Sequence, residues 1–102
     1  MKADSDKTQK LLERARAGDS SAFESLFKRH RIPLQRAIAM RMDRRVSARA
    51  DASDVLQETY FEAFKRLPTY LEQEGMPFYL WLRWIAREKV IGGRKREGIL
   101  KR

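Results

Sequence analysis

The sequence predicts an all-α fold, a compact bundle of about four helices without a sheet. In several separate segments the apolar residues recur every three or four positions, which is the spacing of one buried helix face. No segment shows the strict apolar and polar alternation that is typical of a half-buried strand. A chain of 102 residues is long enough for one domain with a modest core and too short for two.

The first helix is predicted from about residue 7 to residue 17, with Leu11 and Leu12 facing inward. The preceding residues 1 to 7 are polar and are expected to be flexible. Gly18 follows the last turn and is expected to end the helix, because glycine adopts the left-handed backbone conformation at little cost.

A second helix is predicted over residues 21 to 42, where the apolar positions keep a helical rhythm. Asp19 or Ser20 can cap its N-terminus. Pro33 lies inside this segment, removes a backbone donor and clashes with the preceding turn. We therefore expect a kink or a short break at residues 30 to 32.

The second half of the chain is predicted to contain two loops and two helices. Residues 43 to 53 are rich in charged and small side chains, which favours a loop that supplies the cap of a third helix running to about residue 67. The stretch from 68 to 76 carries a proline and a glycine and is predicted to be irregular. Pro77 suits the first position of a last helix, because its fixed φ is helical and its missing N–H is not needed there.

The third helix has two contrasting faces on a helical wheel. One face is apolar and is expected to meet the core, with Leu56, Tyr60, Ala63, Phe64 and Leu67. The opposite face carries Asp54, Gln57, Glu58, Phe61 and Lys65. Carboxylates hold arginine bidentately and a phenyl ring adds apolar area, so this face is typical of a docking surface for a basic helix. Acidic residues also favour the first turn of any helix, so a solvated helix fits equally well.

The last helix shows a similar division. Its predicted core stripe is Phe78, Leu82, Ile85 and Ala86, with Trp81 at the edge. The outward residues are Leu80, Arg83, Trp84, Arg87 and Ile91. Guanidinium groups hold phosphates and flat rings stack on unpaired bases, so this face indicates binding of single-stranded nucleic acid. Tryptophans are more often part of a core, which is the alternative interpretation.

Three motifs in order resemble one known family. The chain has LLERARAGDSSAFESLFKRH near its start, D-x-x-Q-E at 54–58 and F-x-x-W-L-x-x-I-A-R at 78–87. Together they resemble the second region of bacterial sigma factors, specifically the extracytoplasmic-function (ECF) class, over about residues 8 to 97. Residues 98 to 102 are expected to form a flexible tail. A full member also carries a second helical domain that reads the upstream promoter element, so we expect either a fragment cut at the domain boundary or a short member.

The resemblance implies that the chain binds core RNA polymerase and promoter DNA. Asp54, Gln57 and Glu58 match the patch with which sigma factors grip the clamp helices of core RNA polymerase, and the helical wheel adds Phe61 and Lys65 to it. An anti-sigma factor is a further candidate partner, one that would mask the same surfaces.

The last helix and the loop before it resemble the part that recognises and melts the minus-ten promoter element. The candidate DNA-binding residues are Trp81, Arg83, Trp84, Arg87, Glu88 and Arg94. We assign the arginines to strand contacts and Trp84 to base stacking, whereas the wheel position of Trp81 favours a structural role.

The loop over residues 68 to 76 would form the pocket for a flipped base, as in relatives. Glu72 and Glu74 in this loop repel a phosphate chain, so it is expected to read a base edge. Glu88 replaces the asparagine that many relatives carry after I-A-R. A carboxylate accepts from an amino group but cannot donate, so this change is expected to alter base preference or weaken the contact.

Charge and composition restrict the other functions. The net charge of +9 favours a polyanionic partner, most commonly a phosphate backbone, although charge alone does not distinguish this partner from a membrane surface. The chain has no apolar run of the length of a membrane span, no signal-peptide pattern and no cysteine, so we expect a cytoplasmic protein without disulfides. The sequence has no phosphate-binding glycine loop, nucleophile elbow or metal-ligand pair, and its single histidine, His30, has no partner in sequence. We therefore expect no enzyme activity, no cofactor and no metal.

One alternative function belongs to another class. The chain could be a small basic helical module that binds a protein through the Asp54 face, or a helix-turn-helix DNA-binding regulator, with no connection to polymerase. Promoter recognition requires both a polymerase contact and a preference for a melted sequence, whereas the alternative requires only one interaction.

Overall fold

The computed structural model describes residues 4–42, 48–73 and 75–100, with side chains described in 4–42, 52–73 and 75–92. Four helices follow one another: α1 (Asp6–Arg16), α2 (Ser21–Arg41), α3 (Ala48–Glu72) and α4 (Phe78–Leu100). No strand occurs in these ranges, so the prediction of an all-α bundle is confirmed. Helix α2 packs against each of the other three helices, and α4 also packs against α3.

Local hydrogen bonds fix both ends of α1. The Ser5 side chain caps the first turn, because its Oγ accepts a hydrogen bond from the Thr8 backbone N–H at 3.2 Å. Gly18 ends the helix with a φ of 96°, a left-handed conformation that strains other residues. Asp19 then caps α2 by accepting a hydrogen bond from the Ser21 N–H at 3.0 Å. Asp19 is therefore the capping residue of the two that were predicted, because the Ser20 side chain makes no capping hydrogen bond.

Helix α2 is continuous through Pro33, so the predicted break at residues 30 to 32 is wrong. A proline leaves the carbonyl of the residue four positions earlier, here Arg29, without its helical partner. Pro33 and Arg29 both lie on the exposed face of α2. Water can therefore solvate that carbonyl, while the buried Leu34 and Ile38 on the opposite face hold the helix in the bundle.

Helix α3 is longer at both ends than its sequence pattern indicates. Residues 48–53 were predicted to be a loop but are helical, and residues 43–47 lie outside the described part. At the other end the helix passes through Pro68 and ends only at Glu72, so most of the predicted loop over residues 68 to 76 is helical too. Tyr70 holds this last turn, because its ring is buried and its hydroxyl donates a hydrogen bond to the Met76 carbonyl at 2.6 Å.

Pro77 lies at the N-cap of α4, one residue before the first helical position at which it was predicted. The helix begins at Phe78, and the Pro77 carbonyl accepts a hydrogen bond from the Trp81 N–H at 3.0 Å. The Phe78 N–H receives a partner from the other end of the chain, since Asp4 Oδ1 accepts its hydrogen bond at 3.0 Å. Asp4 therefore caps α4 from the segment that precedes α1.

The core is an apolar cluster between the four helices, to which α1 contributes Leu12. Its most completely buried large residues are Phe23, Leu26, Leu34, Ile38, Phe78, Leu82 and Ile85. Full burial of one such side chain contributes roughly 1.5–3 kcal/mol to the free energy of folding. The predicted stripe of α4 is confirmed in full, with Ala86 also buried.

The stripe of α3 is confirmed except at Phe64. Its ring is 52% exposed and meets the core only at its margin, with its centroid 5.6 Å from that of Phe23. Two buried polar residues, Thr8 and Thr59, were not predicted as core. The Thr59 hydroxyl is compatible with the interior because it donates a hydrogen bond to the Val55 carbonyl at 2.7 Å.

Candidate functional site

The outer face of α3 carries what we call the acidic patch, formed by Asp54, Gln57 and Glu58. All three side chains are exposed, since Leu56 and Thr59 take the buried positions between and beside them. Their spacing places them on neighbouring turns of one helix face. Phe61 continues this face at 57% exposure, which is high for an aromatic ring. The structure therefore brings these predicted residues together on one accessible surface.

Lys65 lies further along α3. Its side chain is 72% exposed, and its Nζ lies 3.6 Å from Glu62 Oε1. This pair is a weak surface ion pair at that distance and exposure. Lys65 is thus accessible, as the wheel predicted, but it is oriented toward a neighbour that the sequence interpretation left out.

A groove of about 510 Å³ between α2 and α3 borders the acidic patch. Its lining from α2 is Glu24, Phe27, Lys28 and Arg31, and its lining from α3 is Ser53, Leu56, Gln57 and Tyr60. Gln57 therefore belongs both to the patch and to the groove. The wheel of a single helix could not reveal the contribution of α2, which only tertiary packing brings alongside.

The outer face of α4 carries a basic and aromatic surface. Arg83, Trp84 and Arg87 are all exposed, and the Trp84 indole is 51% accessible. The Arg83 guanidinium carbon lies 5.9 Å from the centroid of the Tyr79 ring, a cation–π arrangement that restrains this side chain. The predicted outward residues Leu80 and Ile91 are also exposed, so the outward stripe of α4 is confirmed in its placement.

Trp81 lies in the interior. The side chain is only 7% exposed, and its ring stacks on Tyr70 with centroids 4.4 Å apart and 26° between the planes. A ring held in this way presents little area to a ligand. The placement favours the structural interpretation of Trp81 over base stacking. Arg94, the remaining predicted strand contact, has a side chain outside the described part.

The C-terminal turns of α3 and the start of α4 enclose a second groove, which we call the aromatic groove. It has a volume of about 450 Å³ and is lined by Arg66, Thr69, Tyr70, Gln73, Gly75, Met76, Trp81 and Trp84. The predicted base pocket coincides with this region. Because α3 extends to Glu72, one wall is a rigid helix where the sequence indicated a loop. Glu72 is exposed, and Glu74 lies outside the described residues.

Glu88 is not free to act alone on a base. Its Oε1 accepts a hydrogen bond from Arg66 Nη2 at 3.2 Å, and Arg66 Nε donates to Glu62 Oε2 at 2.7 Å. The other oxygen of Glu62 accepts from Lys89 Nζ at 3.2 Å. The hydrogen bonds from Arg66 and Lys89 lower the pKa of Glu62 to about 2, and the same contact with Glu62 raises the pKa of Arg66.

Sequence reasoning missed Glu62 and Arg66. Their i, i+4 spacing on α3 is visible in the sequence, but this spacing is common on solvated helices. Glu62 and Arg66 also form ion pairs with Lys89 and Glu88 of α4, and these pairs depend on how the two helices pack. No signal in the sequence alone gives that packing.

His30 has a structural environment. Its Nδ1 lies 2.9 Å from the Leu26 carbonyl oxygen, and its ring stacks on Tyr79 with centroids 5.6 Å apart. Among the residues whose placement is described, no group of three or more histidine or acidic side chains is arranged to hold a metal ion. Nor does any helix in that part of the chain have the length and apolar character needed to cross a bilayer.

Comparison with known proteins supports the motif interpretation. Residues 26–98 match the family model described as Sigma-70 region 2. The chain is 36% identical over 88 residues to the ECF RNA polymerase sigma factor BldN of Streptomyces coelicolor, an alignment that covers 86% of this chain and 31% of that relative. It is also 36% identical over 78 residues to the ECF RNA polymerase sigma-E factor of Haemophilus influenzae, covering 76% of this chain and 38% of the relative. No solved structure gives a significant match.

The chain spans about a third of the length of these curated relatives. Within that span the chain has the three motifs in order, four helices, and exposed faces on α3 and α4 at the motif positions. The family model covers well over half of the chain. The resemblance to the second region of ECF sigma factors is therefore confirmed, and the chain belongs to the Sigma-70 region 2 family.

Proposed function

We propose that this chain is the part of an ECF sigma factor that binds core RNA polymerase and captures the melted minus-ten promoter element. The observation that carries the proposal is the separation of two accessible faces on two helices of one bundle. The acidic patch lies on the outside of α3, and the basic and aromatic surface lies on the outside of α4. Because α3 and α4 pack against each other, the bundle can hold both partners in a fixed relation.

The acidic patch is suited to a basic helix of polymerase. Carboxylates of Asp54 and Glu58 can accept bidentate hydrogen bonds from arginine, and Gln57 can both donate and accept. Phe61 supplies exposed apolar area at the same face, as a central anchor of an interface does. The neighbouring groove between α2 and α3 offers room for partner side chains beside the helix. Two curated relatives named as RNA polymerase sigma factors support this partner.

The surface of α4 is suited to one unpaired strand. Unstacking and extruding a base costs a few kcal/mol, which a protein without an energy source must offset by binding the extruded state more tightly. Arg83 and Arg87 are placed to hold phosphates, and the exposed indole of Trp84 can stack on a base. The aromatic groove next to Trp84 is the proposed site of the extruded base. A role in initiation would place the protein in the cytoplasm, with the polymerase.

A binding module or helix-turn-helix regulator unrelated to polymerase is not favoured. That alternative leaves one of the two faces without a purpose, and it does not account for the similarity to ECF sigma factors over 86% of the chain. An anti-sigma factor that covers either face remains compatible with the proposal, since the same exposed side chains would serve it.

The polymerase contact is tested by retention of the chain on immobilised core RNA polymerase. We expect the double variant Asp54→Ala with Gln57→Ala to lose about tenfold or more in affinity, because truncation of central interface residues costs more than 1 kcal/mol each. The matched control is Gln9→Ala with Glu13→Ala, two exposed residues on α1. Equal retention of the wild type and the Asp54 and Gln57 variant would remove the main support for the proposal.

A further inference from the structure

Arg66 is held between two carboxylates that come from different helices. Its Nε donates to Glu62 on α3 at 2.7 Å, and its Nη2 donates to Glu88 on α4 at 3.2 Å. Two charge-assisted contacts fix the plane of a guanidinium group that would otherwise sample many rotamers. Lys65 and Lys89 approach the other oxygen of Glu62, so they do not displace Arg66.

The fixed guanidinium forms part of the wall of the aromatic groove. Trp84 lies on the same groove, and the stacked rings of Tyr70 and Trp81 also line it. The guanidinium group has five N–H donors, of which the two carboxylates use two, and the Arg66 side chain is 39% exposed, so donors remain for a ligand. The exposed indole of Trp84, at the edge of a cavity of about 450 Å³, suits a flat ring such as a nucleobase.

The negative charge of Glu88 determines whether Arg66 can bind the phosphate or the base of a nucleotide. Glu88 is 40% exposed and shares the guanidinium, so a phosphate that approached Arg66 would also meet a carboxylate. A neutral keto oxygen of a base meets much weaker repulsion. Guanidinium groups donate to such oxygens, and the contact with O6 and N7 of guanine is the commonest specific one.

We propose that Arg66 reads the keto oxygen of an unpaired guanine or thymine in the aromatic groove, and that Glu88 is the positioning residue that orients it. This inference rests on the proposed function, because it assigns base specificity to a residue of the same strand-binding site. It also gives Glu88 a role in this chain that differs from direct contact with a base amino group.

The test measures binding of the full chain, in complex with core RNA polymerase, to bubble templates. Each position of the melted segment carries in turn each of the four bases or an abasic site. For the wild type we expect one position at which guanine or thymine binds about tenfold more tightly than adenine and cytosine. The abasic template should bind as weakly as the disfavoured bases at that position.

Substitutions at Arg66 and Glu88 identify the residues responsible for the base preference. Arg66→Lys keeps the positive charge but loses the planar fork, so the affinity for the guanine and thymine templates should fall about tenfold, while the affinity for the adenine, cytosine and abasic templates changes less than about threefold. Glu88→Ala should weaken the preference, and Glu88→Gln should restore most of it, because the amide oxygen still accepts from Arg66. Glu13→Gln, an exposed change on α1, should preserve the wild-type pattern. Helix content and thermal midpoint are measured for each variant.

The outcomes separate the inference from the proposed function. A wild-type complex that fails to form, or that binds no bubble, contradicts the proposed function and the inference with it. A complex that binds the bubble with equal affinity for all bases overturns only the inference. The inference is also overturned if Arg66→Lys retains the keto preference, or if the abasic template binds as tightly as the best base, since Arg66 would then contact phosphate.

Discussion

The indole of Trp81 stacks on the phenol ring of Tyr70, with ring centroids 4.4 Å apart and an angle of 26° between the planes. This pair joins the last turn of α3 to the first turn of α4. Burial raises the pKa of Tyr70 to about 12, and its hydroxyl donates to the Met76 carbonyl. The two rings therefore help to hold the start of α4 against the end of α3.

Substitution of Trp81 should destabilise the fold. Trp81→Ala leaves a cavity beside Tyr70 and Phe78 and is expected to lower the free energy of unfolding by about 3–5 kcal/mol, measured by urea denaturation. Trp81→Phe keeps an aromatic ring and should cost less. A Trp81→Ala variant with wild-type stability would mean that the stacked pair does not hold α3 to α4.

Substitution of Trp84 should affect DNA binding more than it affects stability. The side chain is 51% exposed, so Trp84→Ala is expected to lower the free energy of unfolding by only about 1 kcal/mol, well below the cost of Trp81→Ala. Loss of one stacking surface should weaken binding to single-stranded DNA by about tenfold, since base stacking contributes roughly 1–3 kcal/mol. Fluorescence anisotropy with a labelled oligonucleotide measures this loss, and unchanged affinity would exclude Trp84 as a stacking residue.

Arg83 and Arg87 should determine part of the salt dependence of strand binding. Each phosphate contact contributes about 0.7 to the slope of log affinity against log salt for single strands. The double variant Arg83→Gln with Arg87→Gln should therefore reduce the magnitude of the slope by about 1.4. The matched control, Lys7→Gln with Lys10→Gln on α1, should leave the slope near its wild-type value. An equal reduction in both double variants would indicate a general effect of charge.

Acid should weaken the contact between α3 and α4 through Glu62. Its pKa in the folded chain is about 2, below the ordinary value of 4.5, so the fold favours the ionised carboxylate. The resulting stabilisation is fully present above about pH 4.5 and is lost as the pH falls toward 2. Urea denaturation over this range should show a smaller pH dependence for Glu62→Gln than for the wild type. Part of the remaining dependence should come from Asp19, whose pKa is lowered by hydrogen bonds from Ser21 and Arg14.

At the buried position of Thr59, loss of the hydroxyl should be tolerated, whereas introduction of a charged group should not. Thr59→Val removes a donor whose acceptor, the Val55 carbonyl, lies within a helix, so the free energy of unfolding should change by no more than about 1 kcal/mol. Thr59→Asp places a carboxylate at a fully buried position and should cost about 3 kcal/mol or more. Thermal and urea unfolding measure both values, and a tolerated aspartate would contradict the burial of Thr59.

Periodicity predicted the faces of the helices well because each face is a property of one helix. The buried stripe of α4 from Phe78 to Ala86 and the exposed positions of Arg83 and Trp84 follow from spacing alone. Phe64 shows the limit of that reasoning. Its wheel position is apolar, yet the neighbouring helices cover only part of its ring, and its contact with Phe23 leaves 52% of it exposed.

Proline was misinterpreted twice for one physical reason. Pro33 and Pro68 both lie inside continuous helices, although each was expected to interrupt one. Both side chains are exposed, so the unpaired carbonyl beside each proline can be hydrated, and buried neighbours on the opposite face keep the helix together. Helix propensity, which depends on local sequence alone, does not include this stabilisation by packing against other helices.

The exposure of most candidate site residues was predicted, but the contacts between the two helices were not. The acidic patch and the α4 surface are each formed by one helix, and the sequence placed them correctly on the outside. The network of Glu62, Arg66 and Glu88 needs two helices at a defined distance, so it became visible only with the packing of α3 on α4.

The hydrogen bond from Phe78 N–H to Asp4 Oδ1 joins positions separated by 74 residues. Asp4 thus completes the first turn of α4, although it lies far from that turn in sequence. A deletion of the first four residues should fray the start of α4 and increase amide hydrogen exchange around residues 78 to 81.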